Sequence, residues 1–448
     1  LAATASPCLP VWRAQYWGEN GRLIIALLEA QGFSSVANTH RTSDVAALAL
    51  RAIMQPTDGP RPDPALRISL NVRIHTQIAE IEAAAWNTLV RDRQPFLQHA
   101  FLSAMERQGC VGERFGWLPR HLGVYRGDEL VGAMPLYEKH NSYGEFVFDH
   151  AWEGAYRRAG MDYFPKLVSA IPYTPAVGQR LLCRPGMEQR VFPVLLRAAL
   201  GLAERLDASG FHCLFPRWEE SQHLADAGLL SRYDCQYHWE SRGYRSFDEF
   251  LGRLTAKKRK NIRQERRRVA DAGVTLRLLD GHRADDRDWQ DFSRFYVNTF
   301  EDKWGIPTFN YGFFREVATK LPDQVLLVLA DWNGHCIAGS LMYRSDHTLY
   351  GRHWGCDRHI DCLHFEACYY TGIEYCIAQG LRRFEPGAQG EHKIARGFLP
   401  TLTRSSHWLA DGRFRRPVAA FVEHEREAVA EYMAGLQALN PYRQEKTL

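Results

Sequence analysis

Past residue 66 the apolar and polar positions settle into two periods, one of a strand and one of a helix. Arg67 to His75 alternates and predicts a strand, whereas Ile78, Ile81, Ala85, Trp86 and Leu89 recur at helical spacing within Ile78 to Arg91. A hairpin comes next, with strands Leu122 to Arg126 and Leu130 to Tyr137 joined by a tight turn at Gly127 and Asp128. The same texture returns two hundred residues later. GVYRGDELVGAMPLYEK (residues 123–139) and VLADWNGHCIAGSLMYRS (residues 328–345) both run strand, polar turn, apolar residue, glycine (Gly132, Gly339), then a strand reaching a tyrosine.

A second matched pair follows each hairpin. ASGFHCLFP, with Gly210, and AQGLRRFEP, with Gly380, each carry a long helix through a glycine into a short strand that closes on proline, and both glycines are expected to cap helices. Two matches in the same order point to a duplication. The first unit carries extra chain, mostly residues 141–179. Each unit reads as strands, a helix and further strands, an α/β fold of the α+β kind with a mixed sheet.

A length of 448 residues favours two domains. The expected division is a first unit at 67–243, with the insertion 141–179, and a second at 244–448. Residues 1–66 differ in texture: helical stretches at Arg22 to Gln31 and Val45 to Met54, then a linker at Pro56, Gly59, Pro60, Pro62 and Pro64. They are expected to be poorly ordered. Because the chain opens on Leu1 rather than methionine, they read as a fragment or a mis-assigned start.

Hydrophobic residues at 45% and charged residues at 24% leave no case for wholesale disorder. The apolar run Leu23 to Leu28 is far shorter than the ~20 residues a membrane span needs. The ten cysteines are irregularly spaced, without a CxxC pair, which fits a reducing compartment and places the chain in the cytoplasm. A net charge of +4 excludes a dedicated DNA binder, so any nucleic-acid role is local.

Four stretches carry candidate chemistry. The run KKRKNIRQERRR, with Lys257, Lys258, Arg259, Lys260 and Arg263, is either a solvated helix with a loose apolar stripe of Leu251, Leu254, Ile262 and Val269 or a polyphosphate clamp. In the insertion, MDYFPKLVSAIPYTP interleaves aromatics, a cation and prolines as a binding wall or as cover for a sheet edge; Tyr163, Lys166 and Tyr173 are its candidate ligand contacts.

The third, YGRHWGCDRHIDCLHFEACYY, offers His353, His364 and Glu366, but its histidines and cysteines lack the short fixed spacings of a zinc site, so no metal is expected. The fourth is FEPGAQGEHKIARGFLP. Its glycines allow close approach to a ligand, and Glu391, His392, Lys393 and Arg396 follow at once. Acyl transfer to an amine needs a proton acceptor and donors for the oxyanion, and Glu391 or His392 fits the first role.

The segments DYFPKLVSAIPYTP, LHFEACYYTGIEYCI and PGAQGEHKIARGFLPTLTRSSHW resemble a bacterial family of N-acyltransferases labelled peptidogalycan biosynthesis or recognition proteins, over about residues 67 to 440. The family is placed in the GNAT acyltransferase superfamily and is similar to the tandem-domain Fem-type enzymes, which add amino acids to peptidoglycan precursors. The resemblance implies two tandem GNAT-like acyltransferase domains, Lys166 in a precursor-binding region, and acyl-CoA (acetyl-CoA) or aminoacyl-tRNA as donor. GNAT enzymes hold acyl-CoA with a loop of the type [QR]xxGx[GA]. The matching place here reads DRHIDCLH and has no glycine.

The expected function is therefore N-acyl or aminoacyl transfer to an amine on a small molecule or cell-wall precursor. Catalysis is assigned to Glu391, His392 and Glu366; substrate contact to Tyr163, Lys166, Tyr173, His353, His364, Lys393 and Arg396; and donor binding to Lys257, Lys258, Arg259, Lys260 and Arg263. The alternative is a non-catalytic protein that binds a cell-wall precursor or RNA on a degenerate GNAT scaffold.

Overall fold

The first unit of alternating and helical segments folds in chain order as β1 (Leu70–His75), α1 (Ala83–Asn87), α2 (His99–Arg107), β2 (Trp117–Pro119), β3 (His121–Arg126), β4 (Glu129–Met134), β5 (Tyr137–Lys139), α3 (His150–Arg158), β6 (Lys166–Ser169), β7 (Leu182–Cys183), α4 (Glu188–Arg205), β8 (Gly210–Leu214), α5 (Trp218–Asp226) and β9 (Leu230–Glu240). The second gives α6 (Phe247–Arg253), α7 (Ala256–Asp271), β10 (Thr275–Leu279), α8 (Asp286–Glu301), α9 (Tyr311–Lys320), β11 (Val325–Trp332), β12 (His335–Arg344) and β13 (Thr348–Cys356). Helix α10 then starts at Leu363–Phe365, passes a π-helical turn at Glu366–Tyr370 and continues through Thr371–Ala378; β14 (Arg383–Glu385), β15 (Leu399–Leu409) and α11 (Gly412–Leu436) complete the chain. This computed structural model describes residues 69–301 and 305–443, so the leader helices and proline-rich linker lie outside the described residues.

Both units contain, in the same order, a strand, two helices, an antiparallel hairpin, a further strand, a helix and a strand (β1, α1, α2, β3–β4, β7, α4, β8 and β10, α8, α9, β11–β12, β13, α10, β14), the mixed α/β duplication legible in the sequence. The strands form a four-stranded sheet, β1-β3-β4-β7, and an eleven-stranded sheet, β10-β11-β12-β13-β14-β9-β15-β8-β6-β5-β2. The units interlock at the centre of the larger sheet. β15, the last strand of the second unit, lies between β8 and β9 of the first, while the end of β9 pairs with β14 of the second. Aromatic rings carry the core across the same boundary: Phe96 meets Tyr343 at 5.5 Å and Tyr350 at 5.1 Å, and Phe101 meets Phe313 at 5.3 Å.

Two local expectations change. The helix expected over Ile78 to Arg91 is a 3₁₀ turn and the short α1, because the Glu82 carboxylate accepts from the amides of Ala84 and Ala85 and restarts the helix there. Ile78, Ile81, Trp86 and Leu89 are all buried regardless. Gly380 does follow α10 with a left-handed φ of 65°, but Gly210 does not cap α4. Asp207 takes the left-handed position there (φ 52°), and Gly210 sits within β8, where a Cβ would meet the Trp408 carbonyl oxygen at 2.3 Å.

Candidate active site

β13 and β14 run parallel for only three residue pairs, Thr348 to Tyr350 with Arg383 to Glu385. Pro386 then ends β14, having no N–H for a further ladder bond, and the chain turns away through Gly387 (φ 99°) and Gly390 (φ 115°), conformations that a β-carbon disfavours. β13 continues to Cys356, bonded on its other side to β12. The sheet is therefore forked, with the prong of β13 on one side and the 3₁₀ helix Glu391–Arg396 on the other.

The fork is lined by buried ionisable groups. Lys393, only 3% exposed, makes no ion pair among the described residues and donates to the Gly387 carbonyl at 2.8 Å. Burial, with Arg352 nearby, brings its ammonium pKa down to about 7. Beside it, His392 Nε2 meets the Tyr369 hydroxyl at 3.0 Å. Burial and the charges of Lys393 and Arg396 bring His392 down to about 4, so it is neutral at pH 7.

At the base of the fork Glu385 is buried, and burial pushes its carboxyl up to about 7 against the pull of Arg383. The Val177 N–H donates to this carboxylate, and its Oε2 has no partner among the described residues. His238 lies one residue beyond the Trp239–Phe384 pair of β9 and β14, so it leaves the sheet on the same face as Glu385. It bonds Gln236 Oε1 through Nε2 at 3.2 Å and keeps Nδ1 unpartnered, while burial brings its pKa down to about 3.

The insertion roofs this site. Arg352 donates to the Tyr173 carbonyl, Gln236 to the Pro175 carbonyl at 2.9 Å, and Glu385 accepts from Val177. Tyr173 itself is anchored by its hydroxyl, which donates to Cys110 O at 2.9 Å.

Of the residues singled out from the sequence, the fork gathers His392, Lys393 and Arg396, with Glu391 at its rim, where Tyr432 donates to it at 2.6 Å. Arg396 donates to Glu265 at 2.8 Å and covers the Phe365 ring at 3.4 Å. Glu366 faces α7, where Arg266 bonds both of its oxygens at 3.1 Å. His364 packs edge-on against Trp354 and Tyr369, and His353 sits among Tyr296, Phe309 and Phe314, where burial holds it well below the usual imidazole range.

Tyr163 and Lys166 lie apart from the fork. Lys166 is fully buried and donates to Glu145 at 2.9 Å and to Asp149, which also accepts from Tyr163 at 2.5 Å. These bonds pin the start of the insertion, at Glu145 and Asp149, to the β6 strand within it. Lys257, Lys258, Arg259 and Lys260 make no ion pair among the described residues, and Arg263 meets Asp248 at 2.9 Å. Glu385, Arg352 and His238 are further members that sequence reasoning passed over. Glu385 carried a signal, as the acid that closes a core strand directly before Pro386 and Gly387.

The family model FemAB_like, described as "Peptidogalycan biosysnthesis/recognition", matches residues 77–444. The chain belongs to this family. No curated protein matches it in sequence. Solved structures similar to this FemAB-like chain include FemX (12% identity, TM-score 0.46, covering 78% of this chain and 100% of that one). Another is the C-terminal domain of a putative lysylphosphatidylglycerol synthetase from Agrobacterium fabrum (11%, 0.47, 79% and 98%). A third is a tandem GNAT protein from the clavulanic acid biosynthesis pathway (12%, 0.39, 77% and 99%).

Proposed function

We propose that this FemAB-like protein transfers an aminoacyl group from a charged tRNA to an amine of a peptidoglycan precursor, with the reaction in the fork between β13 and β14. The observation that carries the reading is Glu385: a buried carboxyl at the end of β14 that burial pushes up to about 7, with Oε2 bound to no donor among the described residues. It takes a proton from the incoming ammonium. Lys393 is the cation beside the developing oxyanion, and neutral His392, oriented by Tyr369, is the second proton acceptor in reach of the fork. Glu391 holds the rim through Tyr432, and Glu366 fixes α7 against α10.

Helix α7 favours a tRNA donor. Lys257 to Arg268 spans ~16 Å of helix at 1.5 Å per residue, longer than one pyrophosphate and suited to several phosphates of a nucleic-acid backbone. The loop before α10 bears no glycine and takes its left-handed turn at Cys362 (φ 67°), a poor cradle for the pyrophosphate of acyl-CoA. Among the described residues no helix is long and apolar enough to cross a membrane, and the proposed compartment is the cytoplasm.

The test is transfer of labelled amino acid from bulk charged tRNA to amine-bearing peptidoglycan precursors, with acetyl-CoA as the competing donor. Glu385→Gln is expected to lower kcat by ~10²–10⁴ and to remove the acid limb of the pH profile, the alkaline limb being set by Lys393 as it loses its proton near pH 7. Transfer from acetyl-CoA alone refutes the tRNA donor, and full activity of Glu385→Gln refutes the base.

A further inference from the structure

A buried polar stripe leaves the fork and runs through the middle of the large sheet. β9 alternates Arg232, Asp234, Gln236 and His238 with Tyr233, Cys235, Tyr237 and Trp239, and the β15 register places Thr403 opposite Asp234 and Ser405 opposite Arg232. Apart from Leu399 opposite His238, one face of these two central strands is thus polar where a core sheet is usually apolar. It is not solvated: Arg232, Gln236, His238, Thr403 and Ser405 are each less than a tenth exposed. The insertion covers them, with the Phe148 carbonyl accepting from Arg232 at 2.8 Å and the Pro175 carbonyl from Gln236 at 2.9 Å.

Several polar atoms along the stripe have no partner among the described residues: Glu385 Oε2, His238 Nδ1 and Thr403 Oγ1. Leaving such an atom dry is costly, and native interiors meet this cost with ordered water. The unpartnered atoms recur in one direction, from the base of the fork toward a crevice lined by Val147, Phe148, Arg232, Asp234, Thr403 and Ser405. Tyr233, Asp234 and Arg404, which also line that crevice, are partly exposed. From His238 to Asp234 is four residues of extended strand, ~13 Å, with Gln236 midway.

We infer that the stripe is a proton exit: a file of bound water leading from Glu385 and His238, past Gln236, to Thr403 and the crevice. It rests on the transfer reading. An ammonium acceptor and an aminoacyl ester give an amide, a free hydroxyl on the donor and one proton. The proton lost from the ammonium goes to the Glu385 carboxylate and leaves along the water file, so the base is regenerated while the fork is closed by substrate. The second N–H proton departs with the leaving oxygen. His238, neutral with Nε2 committed to Gln236, presents Nδ1 as an acceptor to the file.

The first test does not depend on activity. A crystal structure of the full chain that resolves ordered water is expected to show water hydrogen-bonded to Glu385 Oε2, His238 Nδ1 and Thr403 Oγ1 in a continuous file to the crevice. Dry packing between His238 and Thr403 overturns the exit. The second test is the double variant Gln236→Leu, Thr403→Val, which changes no ionisable fork residue although it removes the Gln236 bonds to His238 and Pro175. Its turnover is expected to fall at least about tenfold, less than the ~10²–10⁴ lost with the base itself, and to recover in imidazole buffer, which supplies another proton acceptor. Unchanged turnover, or a loss that imidazole does not relieve, overturns the exit. Wild-type protein inactive with every donor overturns the transfer reading instead, and the crystal structure alone then judges the file.

Discussion

Replacing Lys166 with methionine tests whether the insertion is held by charge. Lys166 is fully buried, and the side chains it meets, Glu145 and Asp149, are 2% and 3% exposed. Methionine fills a similar volume, so the lost interaction is electrostatic: two buried carboxylates lose the one cation that bonds both of them. Removing one partner of such a buried group costs about 3–5 kcal/mol, a large share of the ~5–15 kcal/mol that keeps a domain folded. Equilibrium urea denaturation at pH 7.5 measures it as a lower midpoint. Adding Asp149→Asn to Lys166→Met removes one stranded charge and is expected to restore part of the loss.

The pH dependence fixes the sign. In the wild type, burial pushes Asp149 up, but Lys166 and His212 outweigh it and hold its carboxyl well below the usual range. Its contribution to stability is therefore present above the unfolded carboxylate pKa and is lost as pH falls through the lower folded value. Without Lys166 the same carboxyl, like Glu145, which burial already pushes up to about 7, has a raised folded pKa. A raised pKa gives stability that is full below the unfolded value and lost as pH rises through the folded one. The deficit of Lys166→Met is thus expected to shrink at pH 5 and to widen at pH 8. A loss under about 1 kcal/mol, or one independent of pH, refutes the reasoning.

Two other expectations follow from the interlocked sheet and the basic helix. A fragment beginning at residue 244 lacks β9, leaving β14 and β15 without a shared central neighbour. It is expected to show no cooperative melt by circular dichroism alone and to regain one when mixed with residues 69–243; a stable fragment by itself would show that the exchange is dispensable. Replacing Lys257, Lys258, Arg259 and Lys260 with glutamate is expected to weaken binding of bulk tRNA by more than tenfold in a filter assay. It should also flatten the salt dependence by about 0.7–0.9 in log–log slope per lost phosphate contact. Unchanged binding removes α7 from the donor site.

Much of the fork was legible along the chain. The glycines after the strand ending at Glu385, followed by Glu391, His392, Lys393 and Arg396, marked a place where backbone leaves a core strand among ionisable groups. Local pattern also gave the two hairpins, the helix after Cys362 and the repeat that relates the units. Partners were not legible. Glu366 looked like a free acid on a helix, yet it meets Arg266 a hundred residues away, and Lys166 looked available to a ligand, yet its ammonium is directed at Glu145 and Asp149. Gly210 looked like a cap because a helix precedes it, but the close passage of Trp408 is what leaves no room for a side chain there.

By itself, then, the sequence determined the periods: which segments are strands or helices, that the pattern occurs twice, and that a glycine-bearing turn follows one core strand. These depend on neighbours within a few residues, through backbone geometry and the two repeats of side-chain direction. Tertiary structure decided what the periods face. The alternation of Arg232, Asp234, Gln236 and His238 reads the same whether water or protein lies over it. Only the insertion folding across β9 and β15 makes that polar face an interior, and only burial brings Lys393 and Glu385 near neutrality, because desolvation depends on everything that surrounds a charge and not on its neighbours in sequence.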